Sequence, residues 1–117
     1  TRERNDVMDG AKRPPVVLAP RALREILGEE LLGHLVGLPV ASISRAAEEG
    51  QTANRLAWIG QVVSYLQGAY SDGGIRRWFT RPRAQLDGRS PLEALGPGWR
   101  SDAGPAAIAL RLAKELV

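Results

Sequence analysis

Apolar residues in this chain recur every three to four positions in short runs, each closed by glycine or proline, and nowhere do they alternate with period two. Residues 1–19 carry no period and run through Pro14 and Pro15 into Val16, Val17 and Leu18. They read as a disordered arm with a short extended segment at its end. Pro20 suits a helix first turn, and Leu23, Ile26 and Leu27 follow at helical spacing before Gly28. A second helix, about residues 29–36, opens on Glu29 and Glu30 at the positive end of its dipole, presents Leu31, Leu32 and Leu35, and stops at Gly37. Pro39 starts a third, about 39–49, with Val40, Ile43, Ala46 and Ala47 on one stripe and Gly50 as its terminator.

Thr52 is the expected N-cap of the longest helix, about 53–70. Leu56, Ile59, Val62, Val63 and Leu66 line its buried face, with Trp58 and Tyr65 near the edges. Ser71 or Asp72 caps a fifth helix that reaches Trp78 and Phe79 despite Gly73 and Gly74. Residues 81–89 are a connection. Ser90, Pro91 and Glu93 then make a helix start with Ser as N-cap, Pro at N1 and Glu at N3, and that short helix ends near Gly96. A last helix, about 102–116, is expected to bury Ile108, Leu112 and Leu116. The fold class is therefore all-α, a compact multi-helix bundle.

With 44% hydrophobic residues in 117, the chain has room for one domain or two small helical subdomains sharing a core. The 13 glycines and 8 prolines keep the helices short. Lack of cysteine excludes disulfides and thiolate chemistry and fits a reducing cytoplasm. The single histidine, His34, makes a triad or a histidine metal site improbable and reads as a helix residue without special role. Glu29 and Glu30, like Glu48 and Glu49, are adjacent on helices and point different ways, so they read as surface charge. No Gly-rich phosphate loop and no apolar run of membrane-spanning length is present, and the expectation is a non-enzymatic protein without cofactors or metal. Net charge is +3, unevenly placed: residues 21–50 hold three arginines against five glutamates, a balance of −2. Residues 76–100 hold six arginines against Asp87 and Glu93, a balance of +4. An acidic partner is thus met in the second half.

Two constellations carry functional expectations. The helices joined by Gly37, Leu38 and Pro39 resemble a bacterial helix-turn-helix, whose second helix enters the major groove. Its first-turn residues here, Val40 and Ala41, can touch a thymine methyl but donate nothing to guanine. Ser42, Ser44 and Arg45 are the polar candidates for DNA contact, with Arg55 as a further phosphate contact, and the flanking net negative charge opposes approach to phosphates. A hairpin kept for packing or dimerisation fits these residues equally well.

The second constellation spans residues 78–95. Trp78 and Phe79 form the one aromatic doublet, Pro82 ends the helix, Leu86 is a hydrophobic plug, Gly88 permits a positive φ, and Ser90 and Pro91 restart a helix whose Leu92 and Leu95 face inward. These residues suit a structural corner, and the surrounding arginines suit a solvated face or a contact surface. The pattern Trp78, Phe79, Pro82, Leu86, Gly88, Ser90, Pro91, Leu92 and Leu95, followed by a final amphipathic helix, resembles the toxin-binding domain of the MbcA/ParS/Xre antitoxin family over about residues 75–117. The helix-turn-helix and long linking helix stand where that family's Xre-like half belongs, from about residue 20.

The resemblance implies residues 20–70 as an Xre-like half with its linking helix and 71–117 as the toxin-binding half. It implies a partner, a RES-domain toxin that degrades NAD and whose active site the antitoxin blocks. A homodimer within a toxin–antitoxin hetero-oligomer and autorepression at operator DNA are implied as well. The candidate toxin-binding residues are Arg76, Arg77, Trp78, Phe79, Arg81, Arg83, Leu86, Arg89, Arg111, Lys114, Glu115 and Val117. Arg83 stands where the family usually has Asn after the proline. The family typically continues past its last helix with an occluding tail, whereas this sequence ends at Val117; either that tail is missing or the helix itself occludes. A helix-turn-helix regulator without a toxin is the competing reading.

Overall fold

The structure is a computed structural model, and it describes residues 19–39, 41–43, 50–96, 98–102 and 104–116. The helices with defined bounds are α1 Pro20–Leu27, α2 Glu29–Val36, α3 Gly50–Leu66, α4 Asp72–Thr80, α5 Pro91–Leu95 and α6 Pro105–Lys114, with a 3-10 turn at Ala84–Leu86. Residues 41–43 are also helical. Among the described residues there is no strand, so the chain is an all-α bundle. Residues 1–18 of the arm expected over 1–19, and the stripe positions Val40, Ala46 and Ala47, lie outside the described residues.

Glycine decides where the first helices turn. Gly28 takes a φ of 88° and donates its N–H to Arg24 O, and Gly37, at φ 85° in the left-handed region, donates to Gly33 O. Both conformations are open to glycine at little cost. The α1–α2 corner is further closed by an ion pair between Arg24 and Glu29.

α3 is the axis of the bundle. Leu56, Trp58, Ile59, Gly60, Val62, Val63 and Leu66 are all buried, a face too wide for a helix lying on one side of a core. Trp58, expected near the edge, is 3% exposed. The reason is α6, which covers a second side of α3 and accepts the Trp58 indole N–H at Ala106 O, 3.0 Å away.

α6 meets the core through Ala106, Ala109 and Ala113, spaced i, i+3, i+7. Ile108 and Leu112, expected to be its buried anchors, are half-buried at the flanks, and Leu116 is 40% exposed. A ridge of small side chains lets the helix approach α3 closely, which leaves the larger residues beside the contact. α6 starts three residues later than expected. Gly104 adopts a φ of 53° and Pro105 occupies the first helical position, while Asp102 pairs with Arg100 at 3.2 Å. At the other boundaries, α3 begins at Gly50 with Thr52 inside it and not as its cap, and it ends at Leu66, followed by a turn over 67–69 in place of the helix expected to reach Tyr70.

One hydrophobic core runs from Leu23 of α1 to Ala113 of α6. The two expected halves therefore share a single interior. No helix among the described residues is long and apolar enough to cross a membrane.

Candidate functional site

The corner that follows α4 is built from the inside out. Ser71 caps α4, its hydroxyl accepting the Gly74 N–H at 3.4 Å. Ile75, Trp78 and Phe79 then face the core, and Arg76, Arg77 and Thr80 face solvent. Trp78 and Phe79 meet edge to face at 5.1 Å between ring centroids. Beyond Thr80 the chain makes a short antiparallel bridge, Arg83 with Arg89, whose Arg83 N–H donates to Arg89 O at 3.1 Å. Inside it, Asp87 and Gly88 take successive positive φ values of 58° and 80°, and Leu86 is driven inward to 4% exposure. Ser90 then starts α5 with a complete capping box: its hydroxyl accepts from Glu93 N at 3.2 Å, and its own N–H donates to Glu93 Oε1 at 2.9 Å. Hydrogen bonding to the carboxyl from Ser90, by its backbone N–H first and its side chain second, holds Glu93 below its usual range.

This geometry separates the candidate toxin-contact residues. Trp78, Phe79 and Leu86 are 3%, 0% and 4% exposed, so they shape the surface from beneath and do not form it. Arg77, Arg81 and Arg89 are exposed around the corner, as are Arg111, Lys114 and Glu115 on α6. Arg76, also on the α4 outer face, is tied down, donating to Ile26 O at the end of α1 over 2.7 Å. Arg83 is half-buried with its guanidinium 5.0 Å above the Trp78 ring. Its Nε is buried without a hydrogen-bond partner, an arrangement that ordinarily costs about 1–3 kcal/mol. Burial pushes the Arg83 pKa down, Tyr70 opposes that shift, and the neighbouring Arg81 charge adds to it. Val117 lies outside the described residues.

The candidate DNA-contact residues are placed less favourably. Ser42 is half-buried on the helical residues 41–43, and Ser44 and Arg45 lie outside the described residues. Arg55 is engaged internally and is not available as expected for a phosphate: Nη1 donates to Val36 O at 2.8 Å, Nε to Trp99 O at 2.9 Å and Nη2 to Gln51 Oε1 at 3.2 Å. The cause is Trp99. Its indole N–H donates to Leu35 O at 2.6 Å and its ring meets Trp58 edge to face at 4.9 Å, which brings its carbonyl and π face to Arg55.

Trp99 also closes one side of a concavity of 890 Å³ between α2 and α5, lined by Gly33, Leu35, Leu38, Leu92 and Leu95 and rimmed by Glu29, Glu30 and His34. Sequence reasoning missed both Trp99 and this groove. The available signal was composition: with only three tryptophans, an isolated one between two glycine-bearing turns is seldom left in solvent. Among the described residues no group of His, Cys, Asp and Glu could hold a metal ion. No protein-family model, curated protein or solved structure matches the chain.

Proposed function

We propose that the chain is a type II antitoxin that binds a RES-domain, NAD-degrading toxin and neutralises it by blocking its active site. The observation that supports this reading is the corner over residues 78–95. Its aromatic doublet, leucine plug and capping box fix a rigid surface, and Arg77 and Arg81 stand exposed beside it without an ion-pair partner among the described residues, with Arg89 exposed near Glu93. A blocking protein needs no chemistry, only a preorganised face that covers an entrance. The exposed arginines contact acidic toxin surface and speed encounter. α6, with Glu115 in its last turn region beside Arg111 and Lys114, lies at the pocket mouth, where a carboxylate pairs with arginines that otherwise hold the dinucleotide phosphates.

Co-expression with the product of the neighbouring gene tests the reading. Co-purification and suppression of NAD loss are expected, and a chain that forms no complex at micromolar concentration and leaves NAD turnover unchanged overturns it. Removing residues 113–117 tests the α6 contact separately, since undiminished inhibition excludes it. The second reading, a helix-turn-helix regulator without a toxin, is favoured by α2, its Gly37 turn and the helical residues that follow. A gel shift with the chain's own upstream DNA separates the two. With Arg55 held inside the fold, the phosphate contacts of that reading fall to other residues.

A further inference from the structure

Where α3 passes into α4, a cleft of 180 Å³ opens between Tyr70, Gly74, Arg77, Trp78, Arg81 and Arg83. Three of its six lining residues are arginines and none is acidic. A solvated basic face spreads its charges apart, because like charges brought together repel. Here three of them line one concavity, and the fold holds one of them there. The Arg83 backbone is locked by its bridge to Arg89, and by the Leu86 and Gly88 N–H groups that its carbonyl accepts at 3.0 and 2.9 Å. Its guanidinium rests on Trp78, itself immobile in the core. The Nε–H is withdrawn from water yet donates to nothing among the described residues. Arg77 and Arg81, by contrast, make no side-chain hydrogen bond or ion pair among the described residues and are free to turn inward.

We propose that this cleft binds a phosphate group, held between the guanidinium forks of Arg77, Arg81 and Arg83. A guanidinium presents paired N–H donors in the spacing of two phosphate oxygens, and an anion among three of them removes their mutual repulsion. The Tyr70 hydroxyl supplies a further donor at the rim. The volume is below the roughly 300–1,000 Å³ of ordinary small-molecule sites, so the cleft takes the oxyanion and leaves the remainder of any larger ligand outside. The proposal requires no toxin and stands or falls apart from the antitoxin reading.

The test is a titration of the full chain, followed by amide and arginine Nε–H NMR shifts at constant ionic strength. Inorganic phosphate, glycerol phosphate and glutarate are the probes, and sodium chloride is the control. Inorganic phosphate is expected to produce saturable shifts at Tyr70, Gly74 and Arg83 with a dissociation constant of about 1 mM or below. Arg81→Gln, which removes no internal contact, weakens that binding about tenfold, the value of one charge-assisted hydrogen bond, and Arg111→Gln on α6 leaves it unchanged. Tighter binding of glycerol phosphate assigns a phosphate carried on a larger molecule; equal binding assigns the free ion. Shifts that merely follow the chloride control, an Arg81→Gln affinity equal to the parent's, or glutarate binding as tightly as phosphate each overturn the proposal, the last by assigning the cleft to an acidic side chain.

Discussion

Replacing Arg55 with alanine removes the tie between the end of α2, the segment after α5 and the start of α3. Two of its hydrogen bonds, to Val36 O and Trp99 O, join a charged donor to part-buried carbonyls, and the third, to Gln51, is exposed. Bonds of the first kind contribute about 1.5–3 kcal/mol each, and the exposed one adds little. The guanidinium also lies 5.4 Å from the Trp99 ring centroid, worth about 0.5 kcal/mol at such a site. Taking the lower values, because water still reaches the side chain, Arg55→Ala costs about 3.5 kcal/mol. For a domain of this size that is a fall in Tm of roughly 14 °C. Arg55→Lys keeps one cation but not the fork, and recovers about 1 kcal/mol. Urea unfolding followed by circular dichroism measures both variants. The deficit should persist in 1 M salt, because the partners are carbonyls and the screening length there is only about 3 Å. A loss below about 0.5 kcal/mol for Arg55→Ala refutes the internal-tie argument and returns Arg55 to the list of residues available for a ligand.

Other substitutions separate packing from surface chemistry at the corner. Leu86→Ala empties a plug that is 4% exposed and should cost about 2–5 kcal/mol in the same unfolding assay. Gly74→Ala puts a Cβ 2.9 Å from Tyr70 Cβ and should destabilise by about 1 kcal/mol or more, although alanine is the better helix former. Gly73→Ala meets only flexible guanidinium ends at 3.6 and 3.7 Å and should be neutral or mildly stabilising; equal losses at the two positions would refute the steric account. Ser90→Ala removes an N-cap and should cost about 1 kcal/mol. Because the folded-state pKa of Glu93 is depressed, its contribution is present above its usual value of 4.5 and is lost as pH falls below it. Glu93→Gln should therefore flatten the acid side of the stability–pH curve without changing its slope near neutrality.

The local punctuation of the chain was legible in its residues. Gly28 and Gly37 mark helix ends because few other residues tolerate a positive φ, and Ser90, Pro91 and Glu93 mark a start because each satisfies a requirement of the first helical turn that is internal to the segment. Gly88 signalled its turn for the same reason, whereas Asp87, beside it at φ 58°, carried no such mark.

What depended on neighbours was not legible. The arginines of α4 share one outward face in the periodic pattern, yet Arg76 is bound to α1 while Arg77 is free, and only the packing of α4 on α1 separates them. Arg55 appeared as an available cation because its two carbonyl partners lie 19 and 44 residues away along the chain. α6 buries alanines in preference to Ile108 and Leu112 because the distance between two helices, not the hydrophobicity of one, selects which side chains fit between them. Helix ends and turns follow from a few adjacent backbone groups, so the sequence by itself determined them. Which charges stay free, and which three of them line one cleft beside a buried tryptophan, follows from contacts between distant segments, and only the tertiary structure decided it.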